Sequence, residues 1–278
     1  MVDQAENLRK LVSESTQDRD AWNNVVALFS GRSGCGVTSM AINMAVALAR
    51  HNKPVVLFDL DLGNPQIGHQ CRINTSIDST GGIIAGKQAS EVLHAGPCGV
   101  RVFSNSYCGL DDDSVQPLVV ERIQKAISSL NKHALVIIDL GVASPMLPCA
   151  RMVCENAQTL IGVSTEDSEA VMDCYATIKS ISTLQTSASM HTLINQTTSE
   201  VTAMDTHDRI TTACDRFLNL QTSPAGSVGF DKRFQNAWSI QRPLLLFAPH
   251  CQAAHQFSYL VDFVDTRSKS NLQKKIAA

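Results

Sequence analysis

A glycine-rich turn between an apolar run and a helical run is the part of this sequence best suited to chemistry. Residues 25–30 form a strand-type apolar run, and Met40 to Arg50 form a helical pattern that no glycine or proline interrupts. Peptide N–H groups in such a turn, with the positive end of the helix dipole, hold phosphate oxygens. We therefore predict a phosphate-binding loop, with an unliganded glycine-rich turn as the alternative. The predicted loop residues are Gly31, Arg32, Ser33, Gly34, Cys35, Gly36, Val37, Thr38 and Ser39.

The loop departs from the P-loop pattern G-x-x-x-x-G-K-[ST] at one chemically decisive position. Gly31, Gly36 and Thr38 are in register, but Val37 stands where the pattern has lysine. That lysine would reach the β- and γ-phosphates, a charge-assisted contact worth roughly 1.5–3 kcal/mol. Valine supplies no charge. We therefore expect weakened binding of ATP, ADP and Mg²⁺, and nucleotide hydrolysis that is weak or lost.

Two continuous apolar runs end in aspartates that could serve the same loop. Residues 54–60 lead into Asp59 and Asp61, and residues 134–140 carry Asp139. Such runs are typical of parallel strands buried on both faces, and ligands bind at the carboxyl ends of these strands. Asp139 has the form of a Walker B acid, which orders Mg²⁺ directly or through water. A helix cap or a turn is the alternative role for Asp59 and Asp61.

Strand and helix patterns alternate along the rest of the chain. This alternation predicts an α/β fold with a doubly wound, mainly parallel sheet flanked by helices. We expect an N-terminal arm and linker at 1–24 and one domain at 25–278, in which 65–99 form short helices and loops. Further strands are predicted at 100–104, 159–164, 190–195 and 227–231, and helices at 114–130, 168–184, 210–220, 234–240 and 253–266.

Composition excludes several classes of function. The formal net charge is −3 and aromatic residues make up 5% of the 278, which argues against nucleic-acid binding. No apolar run approaches the length of a membrane span, and the first residues lack the pattern of a signal peptide. Nine cysteines are scattered without metal-ligand spacing, which predicts free thiols in a reducing cytoplasm.

One cysteine lies inside the predicted loop. Cys35 precedes a helix N-terminus, a setting that lowers the pKa of a thiol, so we consider it a candidate redox-sensitive residue. Simple occupation of a variable loop position is the alternative.

The N-terminal arm carries a short helical pattern formed by Ala5, Leu8, Leu11 and Val12. An isolated helix of about 10 residues is marginally stable in water. It is therefore expected to dock on its own domain or on a partner, with a frayed tail as the alternative.

Several motifs together resemble the MinD/ParA group of deviant P-loop ATPases, and within it the flagellar number and placement regulators of the FlhG (FleN, YlxH) type. The similarity spans nearly the whole chain. Residues 3–9 are similar to the D-Q-A-x-x-L-R arm, 30–38 to the S-G-K-G-G-V-G-K-T loop, 59–63 to the D-x-D-L-G switch, 134–140 to the Walker B strand and 165–179 to T-P-E-P-x-A-x-x-D-A-Y-x-x-I-K. Later landmarks are Asn195, Gly229, Asp231, Ala237 and 241–243.

The resemblance implies a P-loop NTPase fold of the SIMIBI type and roles for individual site residues. Thr38 would contact Mg²⁺, Asp61 would orient the attacking water with Asp59 beside it, and Asp139 would hold the metal through water. Asn195 would hydrogen-bond adenine.

The resemblance also implies a face-to-face dimer around ATP, in which an extra lysine crosses to the other subunit's nucleotide. Arg32 occupies that position here and keeps the charge. Ser33 replaces a glycine, and would be strained if the position needs a positive φ.

The implied partners are a FlhF-type GTPase, flagellar C-ring proteins and a second copy of the chain. Contact with the GTPase would come from the arm residues Asp3, Gln4, Ala5, Leu8 and Arg9. A C-terminal amphipathic helix would give peripheral contact with the inner face of the cell membrane. Here residues 268–278 have three lysines but few apolar anchors, so an exposed tail is the alternative.

Three functions remain open from the sequence. The first is a regulator of flagellar number, placement or assembly that acts through the GTPase with little or no hydrolysis of its own. The second is an active ATP-dependent dimerising membrane switch in which Arg32 compensates for Val37. The third is a partition or pilus-positioning protein of the ParA type.

Overall fold

The computed structural model describes residues 22–73, 78–105, 116–145, 147–184 and 186–276, with side chains up to residue 265. The arm residues predicted to contact the GTPase, Asp3, Gln4, Ala5, Leu8 and Arg9, lie outside these ranges.

A single eight-stranded sheet forms the centre of the described structure, in the order β3-β4-β2-β5-β1-β6-β7-β8. All neighbouring strands are parallel except β3, which pairs antiparallel with β4 at the edge. The predicted doubly wound, mainly parallel sheet is confirmed. Its strands are β1 Val25–Ser30, β2 Val55–Asp59, β3 His94–Ala95, β4 Arg101–Phe103, β5 Leu135–Val142, β6 Thr159–Ser164, β7 Ser189–Thr197 and β8 Thr222–Gly229.

Helices cover both faces of this sheet. They are α1 Val37–Arg50, α2 Ile67–Gln70, α3 Ser79–Ile84, α4 Gln116–Leu130, α5 Pro148–Asn156, α6 Ser168–Ser182, α7 Glu200–Leu218, α8 Arg233–Ser239, α9 Leu244–Phe247 and α10 Gln252–Ile276, with 3₁₀ turns at Ala89–Glu91 and Pro97–Gly99.

The central strands are apolar throughout because each face packs against helices. On β1, Val25, Ala27 and Phe29 enter the core layer beneath α4 to α7, whereas Val26 and Leu28 enter the layer beneath α1 and α10. All six residues of β1 are buried. The strand therefore holds the start of the glycine-rich loop rigidly at its carboxyl end.

Several element boundaries differ from the predictions. Helix α1 begins at Val37 rather than Met40, and α5 was not predicted. Helix α7 begins at Glu200 rather than Ile210 because the Ser199 side chain caps it by accepting from the Thr202 N–H at 3.1 Å. Strand β8 covers Thr222–Gly229, so it begins five residues before the predicted segment 227–231 and ends two residues before its end.

The C-terminal helix α10 continues to Ile276 and includes most of the predicted tail. Contact of that tail with a membrane stays a prediction. No helix in the described ranges has the length and apolarity needed to cross a membrane.

Candidate functional site

The loop between β1 and α1 has the backbone of a phosphate cradle. Gly34 and Gly36 adopt left-handed conformations with φ of 89° and 86°, and Gly36 precedes the first turn of α1. Ser33 is not among the described residues with positive φ. The strain considered for Ser33 therefore does not arise.

Gly31 lets the loop lie directly against the backbone of α6. A Cβ atom at Gly31 would collide with the main-chain carbonyl of Asp173 and come within 2.7 Å of the Cys174 nitrogen. A Cβ atom at Gly34 would meet nothing within 4 Å. Gly31 is thus required by packing, and Gly34 only by its backbone conformation.

We expect Gly31→Ala to lower the free energy of unfolding by about 2 kcal/mol more than the matched control Gly34→Ala. The first change forces helix α6 away from the loop, whereas the second adds only left-handed strain of about 1–2 kcal/mol. Urea denaturation of both variants measures the difference. Equal losses of stability would show that the loop and α6 are not in close contact.

Two side-chain amides at the end of β7 hold the loop through hydrogen bonds to its carbonyl groups. The Asn195 Nδ2 donates to the Cys35 carbonyl at 2.8 Å, and the Gln196 Nε2 donates to the Gly34 carbonyl at 2.9 Å. Gln196 itself adopts a left-handed φ of 58°. Sequence reasoning missed Gln196, and the contact of Asn195 with adenine stays a prediction.

Arg32 is the one cation among the described residues that line the site, and acidic side chains of its own subunit hold it. Its Nη1 lies 2.8 Å from Glu169 Oε2 and 3.3 Å from Asp167 Oδ2, and its Nε lies 3.7 Å from Asp173 Oδ2. These groups are solvent-exposed, so the pairs contribute little stability. They do place the guanidinium over α6.

Val37 begins α1 with its side chain 5% exposed. It packs in the core layer beneath α1 and also lines the loop cavity. Position 37 therefore presents an apolar wall to a ligand.

The three predicted aspartates converge at the carboxyl ends of β2 and β5. Asp59 and Asp139 are register partners on these strands, and both are fully buried. Asp59 Oδ2 accepts from the Ile67 N–H, and Asp139 Oδ1 accepts from the Gly141 N–H, each at 2.9 Å. Asp61 lies against Gly141, where a Cβ atom would collide with its carboxylate.

Burial makes this carboxylate cluster favour protons. Burial raises the pKa of Asp139 to about 6, although hydrogen bonds from the Thr38 hydroxyl and the Gly141 N–H act to lower that pKa. Burial, followed by the charge of Asp139, raises the pKa of Asp59 well above its ordinary value. The pKa of Asp61 is also raised by burial.

The cluster fits a Mg²⁺ ion only if other ligands join it. Asp59 Oδ1 and Asp139 Oδ2 are buried without a hydrogen-bond partner. Within the described ranges, no group of three or more His, Cys, Asp or Glu side chains could hold a metal ion by itself. Since Mg²⁺ takes one or two carboxylates together with phosphates and waters, Thr38 and Asp139 could hold it jointly with a bound phosphate.

A cavity of about 490 Å³ joins the loop, the Asp61 segment and the start of α5. Seven of the described lining residues outside the loop have apolar side chains. They are Leu60, Leu62, Leu140, Val142, Leu147, Ala150 and Trp238.

A second cavity of about 420 Å³ lies beyond the carboxyl ends of β7 and β8. Its lining includes residues 197–200 and 229–233. Within it, Arg233 Nε donates to Asp231 Oδ1 at 2.8 Å, which keeps the pKa of Asp231 below its ordinary value. Thr197, which lines this cavity, directly follows Asn195 and Gln196 in β7.

Of the two interpretations of Cys35, the structure favours simple occupation of a variable loop position. Its side chain is 2% exposed, and burial raises the pKa of the thiol despite the nearby Arg32 charge. The helix N-terminus does not compensate for the lost hydration, so Cys35 fills the loop.

Comparison with known proteins agrees with this geometry. The family model described as the CobQ/CobB/MinD/ParA nucleotide binding domain matches residues 26–235. The antiactivator FleN of Pseudomonas aeruginosa is 24% identical over 246 residues, which cover 87% of this chain and 86% of FleN. An uncharacterized ATP-binding protein of Methanocaldococcus jannaschii is 23% identical, covering 90% of this chain and 91% of that protein.

Among solved structures, the septum site-determining protein MinD of Pyrococcus horikoshii, complexed with Mg-ADP, superposes with a TM-score of 0.68. It is 15% identical, and the match covers 87% of this chain and 95% of MinD. At this identity the likeness establishes the fold alone.

Proposed function

This chain belongs to the CobQ/CobB/MinD/ParA nucleotide-binding family, and from that premise we propose that it is a cytoplasmic regulator of flagellar number, placement or assembly. It acts by binding a FlhF-type GTPase, and its own nucleotide hydrolysis is impaired or lost.

One observation supports the loss of hydrolysis: among the described residues that line the site, no cation is free to bind a triphosphate. Val37 presents an apolar wall, and Arg32 is paired with Asp167 and Glu169. Phosphoryl transfer depends on positioning and on electrostatic stabilisation of the transferring group. Removing the principal cation therefore disables the chemistry even where the acids are retained.

The flagellar assignment is supported by two likenesses to flagellar regulators. Residues 3–9, Asp-Gln-Ala-Glu-Asn-Leu-Arg, are similar to the partner-contacting arm of the flagellar regulators. FleN, with which the chain shares 24% identity, is named an antiactivator. A generic ParA-type partition or pilus-positioning protein has no need for this arm.

A second candidate function is supported by the carboxylate cluster. Thr38, Asp61 and the unpartnered buried oxygens of Asp59 and Asp139 form the surroundings that Mg²⁺ with a phosphate would need. This supports an ATP-dependent dimerising switch with peripheral membrane contact through α10. It requires Arg32 to leave its acidic partners.

The full-length chain is expected to accelerate GTP hydrolysis by a FlhF-type GTPase, and Gln4→Ala is expected to abolish the effect. The matched control Gln17→Ala, also in the N-terminal segment, should keep it. Asp61→Ala should keep it as well, because the proposal needs no turnover at the loop. The assay is phosphate release from GTP with and without the added chain.

Two outcomes would contradict this proposal. If neither the full chain nor a peptide of residues 1–20 affects the GTPase, the partition-type function is favoured. If Asp61→Ala removes the stimulation, the protein acts as an ATP-driven switch.

A further inference from the structure

The loop keeps a set of oriented N–H donors although it has lost its lysine. In a trans peptide the carbonyl and the N–H point in opposite directions. The Gly34 and Cys35 carbonyls are directed to Gln196 and Asn195. The N–H groups of Cys35 and Gly36 therefore point away from β7, towards the cavity that these two residues line.

These donors are available to a ligand. Within the described chain, no N–H group from Ser33 to Thr38 donates a hydrogen bond to a backbone acceptor outside regular helices and strands. The loop alternates left-handed glycines with other residues and leads into the N-terminus of a helix of 14 residues. Successive N–H groups in such a turn form a concave anion site.

The part of the cavity beside the strand ends is acidic. Asp61 lines it, and Asp59 and Asp139 are buried at the carboxyl ends of β2 and β5. The guanidinium of Arg32, in the loop, is already paired with three acidic side chains. The N–H groups thus favour the first phosphates, whereas no free cation among the described lining residues is available for the terminal phosphate.

We propose that this site selects nucleoside diphosphates over triphosphates, because it retains the N–H cradle for the first phosphates and lacks a cation for the terminal phosphate. This inference rests on the proposed function, since it takes the loop to be a nucleotide site that does not turn over.

Gln196 has a defined part in this selection as a positioning residue. Its side chain orients one peptide plane of the loop through the hydrogen bond to the Gly34 carbonyl. Gln196 is not among the described residues that line the loop cavity. Removing its amide should weaken diphosphate and triphosphate binding by the same factor. Val37, by contrast, should control the ratio between the two.

Isothermal titration calorimetry with the purified full chain tests this selection. ADP and ATP are titrated separately, in EDTA and in excess Mg²⁺. We expect ADP to bind at least about tenfold more tightly than ATP, corresponding to the lower end of a charge-assisted contact. The ratio should be larger in EDTA, because Mg²⁺ partly neutralises the carboxylates.

Two variants separate the contributions. Gln196→Ala should weaken both nucleotides by about fivefold, the worth of one ordinary hydrogen bond, and leave their ratio unchanged. Gln235→Ala, an exposed glutamine on α8, is the matched control and should change neither. Val37→Lys should reverse the ratio, and thermal unfolding confirms that each variant is folded.

ATP binding that equals or exceeds ADP binding in Mg²⁺ overturns the inference. So does the failure of both nucleotides to bind. If either result is obtained and the chain does not hydrolyse ATP, the proposed function is unaffected, because stimulation of the GTPase needs no nucleotide bound to this chain. ATP turnover that requires Asp61 would instead overturn the proposed function.

Discussion

Replacing Val37 with lysine is expected to raise the affinity of this chain for ATP by about 10- to 150-fold, the equivalent of a charge-assisted contact of roughly 1.5–3 kcal/mol. Position 37 lines the cavity, so a lysine there can send its ammonium group towards the terminal phosphates. The four-carbon stem would stay against the apolar core beneath α1, as long basic side chains commonly do.

The rest of the loop is already arranged for that lysine. Gly34 and Gly36 have the left-handed conformations of a phosphate cradle, and Thr38 follows at the start of α1. One side chain therefore separates the present site from a cationic one. Calorimetry with ATP and Mg²⁺ measures the gain.

Val37→Met is the matched control for this substitution. Methionine extends a side chain of similar length without the charge, so it should leave ATP affinity near that of the unmodified chain. Equal effects of lysine and methionine would mean that shape, not charge, limits ATP binding at this loop.

Asp139→Asn is expected to stabilise the protein by up to about 3 kcal/mol at pH 8, in EDTA. Burial raises the pKa of Asp139 from 3.8 to about 6, and each pKa unit corresponds to about 1.36 kcal/mol. Asparagine removes the buried charge. Its side-chain oxygen can still accept from the Gly141 N–H.

The pH dependence follows from the sign of this shift. A carboxyl group with a raised pKa binds its proton more tightly in the folded state, so stability falls as the pH rises from about 4 through about 6. Asp59 acts in the same direction, because its pKa is also raised. Asp139→Asn should therefore flatten the slope without removing it.

Chemical denaturation at several pH values between about 4 and 8 checks this expectation. Asp205→Asn, at an exposed position on α7, is the matched control and should leave the slope unchanged. A loss of stability in Asp139→Asn at pH 8 would show that the ionised carboxylate is favourably held in the fold.

The central strands could be predicted from sequence because their signal is local. A strand buried on both faces is apolar at every position, whichever helices cover it, so β1, β2, β5 and β6 were located within two residues. The positions of Asp59 and Asp139 followed from the same strands. Their convergence needed only the rule that parallel strands end at one edge of the sheet.

Helix α7 and strand β8 were less predictable because their patterns are weak. The first half of α7 exposes Val201 and Met204, so its apolar stripe becomes regular only near Ile210. The helix begins earlier because Ser199 caps it. A cap of this kind is a single residue and is easily overlooked beside a longer periodic signal.

Contacts between distant residues could not be predicted at all. The acids that hold Arg32 lie more than 130 residues away in the chain, as do the amides of Asn195 and Gln196 that orient the loop. The burial of Cys35 depends on the same packing. These contacts decide the electrostatics of the site, which is why the sequence located the loop but not its charge balance.

The release of phosphate from ATP by the purified full-length chain, compared with its Asp61→Ala variant, tests the central claim most directly. Since Val37 leaves the terminal phosphate without its cation, we predict that the two proteins release phosphate at the same background rate in saturating ATP and Mg²⁺. Release that is clearly faster in the unmodified chain and disappears in Asp61→Ala would contradict the account.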